Sequence, residues 1–154
     1  MKVVSIIGTR PQYIKFKPLY DTLLSDDKIS HTVIDTKQHY SYNVSQKLID
    51  DLNIKIDYLV VDHDSEETSL SIGEKQLDLG VVLGARILKK NIIDKFKIGI
   101  INLHPGILPE NRGLDTIKWA ITHDLPQGVT SHFINKKIDM GLKINYEPII
   151  IYKD

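Results

Sequence analysis

KVVSIIGTRPQYIKFKPLYDTLLS, residues 2–25, changes character at Gly8. Before the glycine, KVVSII (2–7) is an unbroken, largely β-branched apolar run, the composition of a strand buried on both faces of a parallel sheet. After it, PQYIKFKPLYDTLLS (11–25) carries Ile14, Leu19, Leu23 and Leu24 at roughly helical spacing. Pro11 suits a first helical turn, and Pro18 predicts a kink. A strand, a tight turn and a helix within two dozen residues is the opening unit of an α/β fold.

The same alternation continues. Strands are predicted at HTVIDT (31–36), DYLVVD (57–62), DLGVVLG (78–84) and KIGIINL (97–103), and again at QGVTSHFI (127–134) and KINYEPIIIY (143–152). Helices are predicted at 41–54, with Ser41 as cap, at 86–96 and at GLDTIKWAITH (113–123), where Ile117 and Ile121 lie four apart. SEETSLSIGEK (65–75) opens with a weaker cap pattern. The expected fold is α/β: one doubly wound, Rossmann-like domain over 1–154, its sheet mostly parallel with helices on both faces. Trp119, on its helix, is expected in the core.

Bulk properties narrow the function. Twenty Lys and Arg balance twenty Asp and Glu, so no global field attracts nucleic acid or an anionic membrane, and an anionic ligand must be held by local groups. The absence of cysteine excludes disulfides and thiolate-bound zinc, and no metal site is expected. No apolar run reaches 18 residues, and the N-terminus reads as a strand rather than a signal peptide, so a cytoplasmic protein is expected.

In such sheets ligands bind beyond the carboxyl ends of the strands. Two strand ends carry unusual chemistry, GTRP (8–11) and NLHP (102–105). Asn102 and His104 lie two apart, which puts both on one face of a strand before Pro105 and Gly106 turn the chain. Asp139, in KKIDMGLKI, offers a carboxylate beside Gly141. Amide, imidazole and carboxylate together suit acyl transfer to an amine: the amide donates to a developing oxyanion, the imidazole moves protons, and the carboxylate orients it or takes the ammonium proton. A histidine at a strand end is also commonly a capping residue. At the other site, Gly8 and Thr9 open a helix, where N–H groups favour anions, with Arg10 and Lys15 adding charge; an ordinary βα turn with a surface arginine fits equally.

INLHPGILPENRG (101–113), GVTSHFI (128–134) and KKIDMGLKI (136–144) together resemble the N10-formyltetrahydrofolate-dependent formyltransferases, which act on glycinamide ribonucleotide, methionyl-tRNA or amino sugars. The family pattern of Asn-x-His-Pro, Leu-Pro-x-x-x-Gly, Gly-x-Thr-x-His and Asp-x-Gly is met in order, over about residues 76–147. Gly106 and Asn111–Gly113 look most like the sugar N-formyltransferase branch. The resemblance implies that Asn102 and His104 stabilise the tetrahedral oxyanion and that Asp139 is base and orienter. It implies N10-formyltetrahydrofolate as co-substrate, its pterin held around DLGVVLGARIL (78–88), with Leu83, Gly84, Arg86, Ile87 and Leu88 there and Ile138 opposite. His132 is expected to be structural support. Arg112 either holds substrate anions or braces its loop.

Residues 1–70 resemble a different family, the UDP-N-acetylglucosamine 2-epimerases, through GTRPQYIKFKPL and DTKQHYSYNVSQKLIDDLNI. Gln12 stands where that pattern has Glu, and Lys37 where it has Gly. The second domain and later catalytic residues of epimerases have no counterpart, which implies that this reaction is lost. Gly8, Thr9, Arg10, Lys15, Gln38 and His39 remain candidates for binding a nucleotide-sugar diphosphate, or else the segment supplies strands alone. The expectation is therefore a chain in two parts, an epimerase-like half (1–70) and a formyltransferase-like half (76–154), acting on a nucleotide-linked amino sugar. The alternatives are another amine, such as glycinamide ribonucleotide, or a non-catalytic sugar-nucleotide-binding module. The chain stops soon after the Asp-x-Gly segment, and a homodimer partner is one expected source of further surface.

Overall fold

A computed structural model describes residues 1–36, 42–59, 77–83 and 88–150. Seven strands form one sheet: β1 (Lys2–Ile7), β2 (Ser30–Asp35), β3 (Tyr58–Leu59), β4 (Leu77–Val82), β5 (Phe96–His104), β6 (Gly128–Phe133) and β7 (Lys143–Pro148). Their spatial order is β3-β2-β1-β4-β5-β6-β7. The first five run parallel, and β6 and β7 are antiparallel to their neighbours. The order reverses between β1 and β4, the switch point of a doubly wound sheet.

Alternation along β1 explains the two cores. Val4 and Ile6 point to one face, where they pack with Ile34, Val82, Leu88, Ile92, Phe96 and Ile100. Val3 and Ile7 point to the other, against helix α1 (Arg10–Leu24) and helix α2 (Tyr42–Asp51). Phe16, fully buried, anchors α1 with Tyr13 and Tyr20. The inward face of α1 is thus aromatic. Ile14 and Leu24, from the predicted aliphatic stripe, are exposed, while Leu19 and Leu23 are partly buried at the core margin. The helix runs on through Pro18, which lies on the exposed side. There the carbonyl freed by the missing N–H meets water.

Three sequence expectations change. The helix predicted over 86–96 is a single turn, α3 (Lys90–Ile93), because β5 begins at Phe96. Its four residues still seal the core around Val4 and Ile6 through Ile92. Helix α4 (Thr116–His123) buries Thr116 and Ala120 only, so Ile117 and Ile121 face outward. Trp119 is 51% exposed, not core; its ring stacks on His123 at 5.0 Å between centroids. The cap at Ser41, the cap pattern at 65–75 and the second half of the strand predicted at 57–62 lie outside the described residues.

Candidate active site

β5 delivers the site. Ile100, Asn102 and His104 alternate onto the same buried face, and the strand continues through the histidine itself. Asn102 is 9% exposed and His104 3%. Val82 of β4 lies beside Asn102 in the parallel register, and His132 of β6 lies directly across from it in the antiparallel register.

The turn after His104 is pinned from several sides. The Thr116 hydroxyl donates to the Pro105 carbonyl, as does Gln127 Nε2 at 3.0 Å. Thr130 Oγ1 donates to the Gly106 carbonyl at 2.7 Å and accepts from the Leu108 N–H at 3.2 Å. Gly106 has no room for a side chain: a Cβ would lie 2.5 Å from the Asn111 carbonyl oxygen and 3.0 Å from His104 Nε2. That same Asn111 carbonyl accepts a hydrogen bond from His104 Nε2 at 2.8 Å. A carbonyl can only accept, so the proton of the neutral ring is fixed on Nε2 and Nδ1 is left as acceptor.

Asp139 completes the group. Its backbone adopts a left-handed conformation (φ 49°), which aspartate tolerates better than most residues. One carboxylate oxygen, Oδ2, accepts the Gly113 N–H at 2.8 Å and faces His104 Nδ1 at 3.5 Å. The other, Oδ1, faces His132 Nε2 at 3.5 Å. Gly141 makes this possible, because a Cβ there would stand 1.5 Å from the Phe133 carbonyl oxygen.

His132, 1% exposed, is more deeply buried than either predicted partner. Its Nδ1 donates to the Phe133 carbonyl at 3.0 Å, and its Nε2 lies 3.3 Å from Asn102 Nδ2. The carboxylate is therefore bracketed by two imidazoles whose facing nitrogens are acceptors in the neutral rings. A proton taken up here has three adjacent groups to occupy, and an amide N–H stands beside them. Such an arrangement is chemically able to handle a proton beside an amide N–H that can donate to an oxyanion.

The other predicted residues are placed as follows. Leu83 and Leu88 are buried on either side of residues 84–87, and Ile138 is exposed beside Asp139. Arg112 is exposed on the loop whose next residue, Gly113, holds the carboxylate. Arg10 and Lys15 are exposed at the start of α1. The N–H groups of Gly8 and Thr9, expected to face an anion, instead donate to the Gln12 carboxamide at 2.7 and 3.0 Å. Gln12, noted in the sequence as a departure from the epimerase pattern, here caps its own helix. Gln38, His39, Gly84, Arg86 and Ile87 lie outside the described residues. Sequence reasoning missed Asn111, 2% exposed, whose carbonyl sets the His104 tautomer and whose Nδ2 donates to the Thr116 carbonyl at 2.8 Å.

Among the described residues, no group of three or more histidines and acids fits a metal ion, and no helix is long and apolar enough to cross a membrane.

Several known proteins are similar to this chain. A methionyl-tRNA formyltransferase of Chlorobium limicola is 34% identical over 98 residues, 63% of this chain and 31% of that protein. The chain spans less than a third of the length of the curated relatives it matches. Among solved structures, a phosphoribosylglycinamide formyltransferase from Anaplasma phagocytophilum superposes with a TM-score of 0.76 at 22% identity, over 99% of this chain and 73% of that one. A sugar N-formyltransferase from a Shewanella species gives 0.73 at 20% identity, over 99% and 58%. At such identities the shared property is the fold. The family model described as Formyl transferase matches residues 22–154, so residues 22–70 of the half expected to be epimerase-like fall within it, as does the whole candidate site. The chain belongs to the formyl transferase family.

Proposed function

We propose that the protein moves a formyl group from N10-formyltetrahydrofolate to the amine of a nucleotide-linked amino sugar. The observation that carries this reading is the convergence of Asn102, His104 and Asp139 at the end of β5, with both carboxylate oxygens facing imidazole nitrogens. The folate co-substrate would supply the formyl carbon as electrophile, held around Leu83, Leu88 and Ile138 with residues 84–87 between. As the amine attacks, Asn102 Nδ2 donates to the formyl oxygen as it becomes an oxyanion. Asp139 takes the proton that the amine loses, shares it with His104, and returns it to the departing N10 nitrogen. One proton leaves the amine and one arrives at the leaving group, so the site ends as it began.

The sugar-nucleotide assignment draws on the placement of the two strand ends. β4 alone separates β1 from β5, so their carboxyl ends stand roughly 10 Å apart at ordinary strand spacing. A sugar ring joined to a diphosphate spans that gap, with Arg10 and Lys15 at one end and Asp139 at the other. Arg112 is exposed on the loop that also presents Gly113 to Asp139.

The test is formyl transfer from N10-formyltetrahydrofolate to UDP- and dTDP-linked amino sugars, with glycinamide ribonucleotide and methionyl-tRNA in the same panel. Turnover with a nucleotide sugar, reduced about 10²–10⁴-fold in His104→Ala, is expected. Turnover only with glycinamide ribonucleotide or methionyl-tRNA would keep the chemistry and overturn the acceptor. Sugar-nucleotide binding without any transfer would leave a binding module.

A further inference from the structure

His132 makes contradictory demands on one atom. Its Nδ1 is a donor in every state, because it faces the Phe133 carbonyl at 3.0 Å. In the neutral ring Nε2 is then an acceptor, suited to the Asn102 amide N–H at 3.3 Å. In the cation Nε2 is a donor, suited to Asp139 Oδ1 at 3.5 Å and opposed to that N–H. The two partners thus require opposite charge states of a buried ring.

We propose that His132 is a positioning residue whose charge sets the orientation of the Asn102 amide. Neutral His132 holds the Nδ2 side of the amide at its ring and so fixes which way the second N–H of that nitrogen points. Charged His132 repels that side, favours the amide oxygen in its place, and ties the Asp139 carboxylate by an ion pair. A carbonyl turned toward a developing oxyanion repels it, so the charged form is the incompetent one. Asparagine has no charge of its own to choose between its two faces; the facing nitrogen of His132 makes the choice.

Other ionisable groups around the ring act in known directions. Asp139, from the loop before β7, favours the cation. His104, from β5, has its ring centroid 6.2 Å away in an edge-to-face arrangement and opposes a second positive charge when itself protonated. Lys143, the register partner on β7, opposes it too. The pair Asn102 and His132 is held opposite by the β5–β6 ladder, so a change of charge on the ring acts at a fixed backbone separation.

Nitrogen-15 spectra of the uniformly labelled protein test this without any substrate. The neutral His132 ring is expected as the Nδ1–H tautomer, the minor form of free histidine. The Asn102 side-chain amide signals are expected to move with pH in step with His132, and to lose that movement in His132→Gln, where a carboxamide oxygen accepts but does not titrate. An Nε2–H tautomer, or an Asn102 amide indifferent to the His132 transition, overturns the proposal in the wild-type protein alone, whether or not the variant folds. The kinetic arm rests on the formyl-transfer reading. With one amine for both proteins, the acid-side fall in kcat/KM is expected to be shallower by one proton in His132→Gln; an unchanged slope overturns the proposal. If the spectra behave as expected and no amine is formylated, the positioning role stands and the proposed function falls.

Discussion

Gly141→Ala is the sharpest test of how the site is built. The new Cβ would lie 1.5 Å from the Phe133 carbonyl oxygen, and Cβ atoms essentially never approach within 3.0 Å of such an atom. The backbone must open by the difference, at least 1.5 Å. Gly141 is not among the positive-φ residues, so this cost is steric and not conformational. If the loop yields, Asp139 two residues away moves with it, and its 2.8 Å bond to the Gly113 N–H exceeds the hydrogen-bond range. If β6 yields instead, His132 moves, because Phe133 is its neighbour and accepts its Nδ1 proton. Losing a hydrogen bond to a charged group costs about 1.5–3 kcal/mol, and at about 2–4 °C per kcal/mol for a chain of this size a loss near 2 kcal/mol lowers Tm by about 4–8 °C. A displacement of about 1 Å at a reacting group costs about 10²-fold in rate. Thermal unfolding and kcat/KM measured on the same preparation check both figures. A variant with unchanged Tm and full activity would refute the claim that contact with β6 positions the carboxylate.

Gly113→Ala makes the contrasting case. Nothing lies within 4 Å of a Cβ there, but φ is +83°, so the cost is conformational, about 1–2 kcal/mol, and the N–H that holds Asp139 remains. Calorimetry should show a modest fall in Tm, with activity less affected than in Gly141→Ala. His31 predicts a pH effect on stability. Burial beneath Phe16 and Tyr20 lowers its pKa, and the opposing attraction of Asp57 is the smaller influence. The folded state therefore refuses a proton that the unfolded chain accepts near pH 6.5. The stabilisation is complete above that value and declines as pH falls below it. Urea unfolding from pH 8 to 5 should show this decline in the wild type and a flatter profile in His31→Gln, which removes the titrating ring beside Ser5 Oγ at 2.9 Å.

Much of the molecule was legible because period-2 and period-3.6 patterns report burial directly. Residues 2–7 and 97–103 announced themselves as strands, and the spacing of Asn102 and His104 placed them on one face without any tertiary knowledge. The helix at 86–96 failed because its apolar residues were shared between one turn of helix and the start of β5, and a short apolar run fits either. Trp119 failed for a different reason: α4 turns only Thr116 and Ala120 inward, and composition does not say which side of a helix meets the sheet. The roles of His132 and Asn111 were invisible because each depends on a partner brought close by strand pairing or by the turn after β5. Reading His132 as structural support said nothing of its depth or of Asn102, which the antiparallel register sets opposite it.

Asn102 and His132 face each other as rungs of a backbone ladder, and the ladder has a further consequence. Neither α4 nor α1 supplies any of the backbone pairing between β5 and β6, so local opening of either helix is expected to leave that pairing closed. The proposed site and this strand pairing are then one cooperative unit, and the backbone amides of Asn102 and His132, which face each other across it, are expected to exchange with solvent together when that unit opens. Opening that one pair of strands would therefore take apart the proposed site and the backbone pairing in a single step.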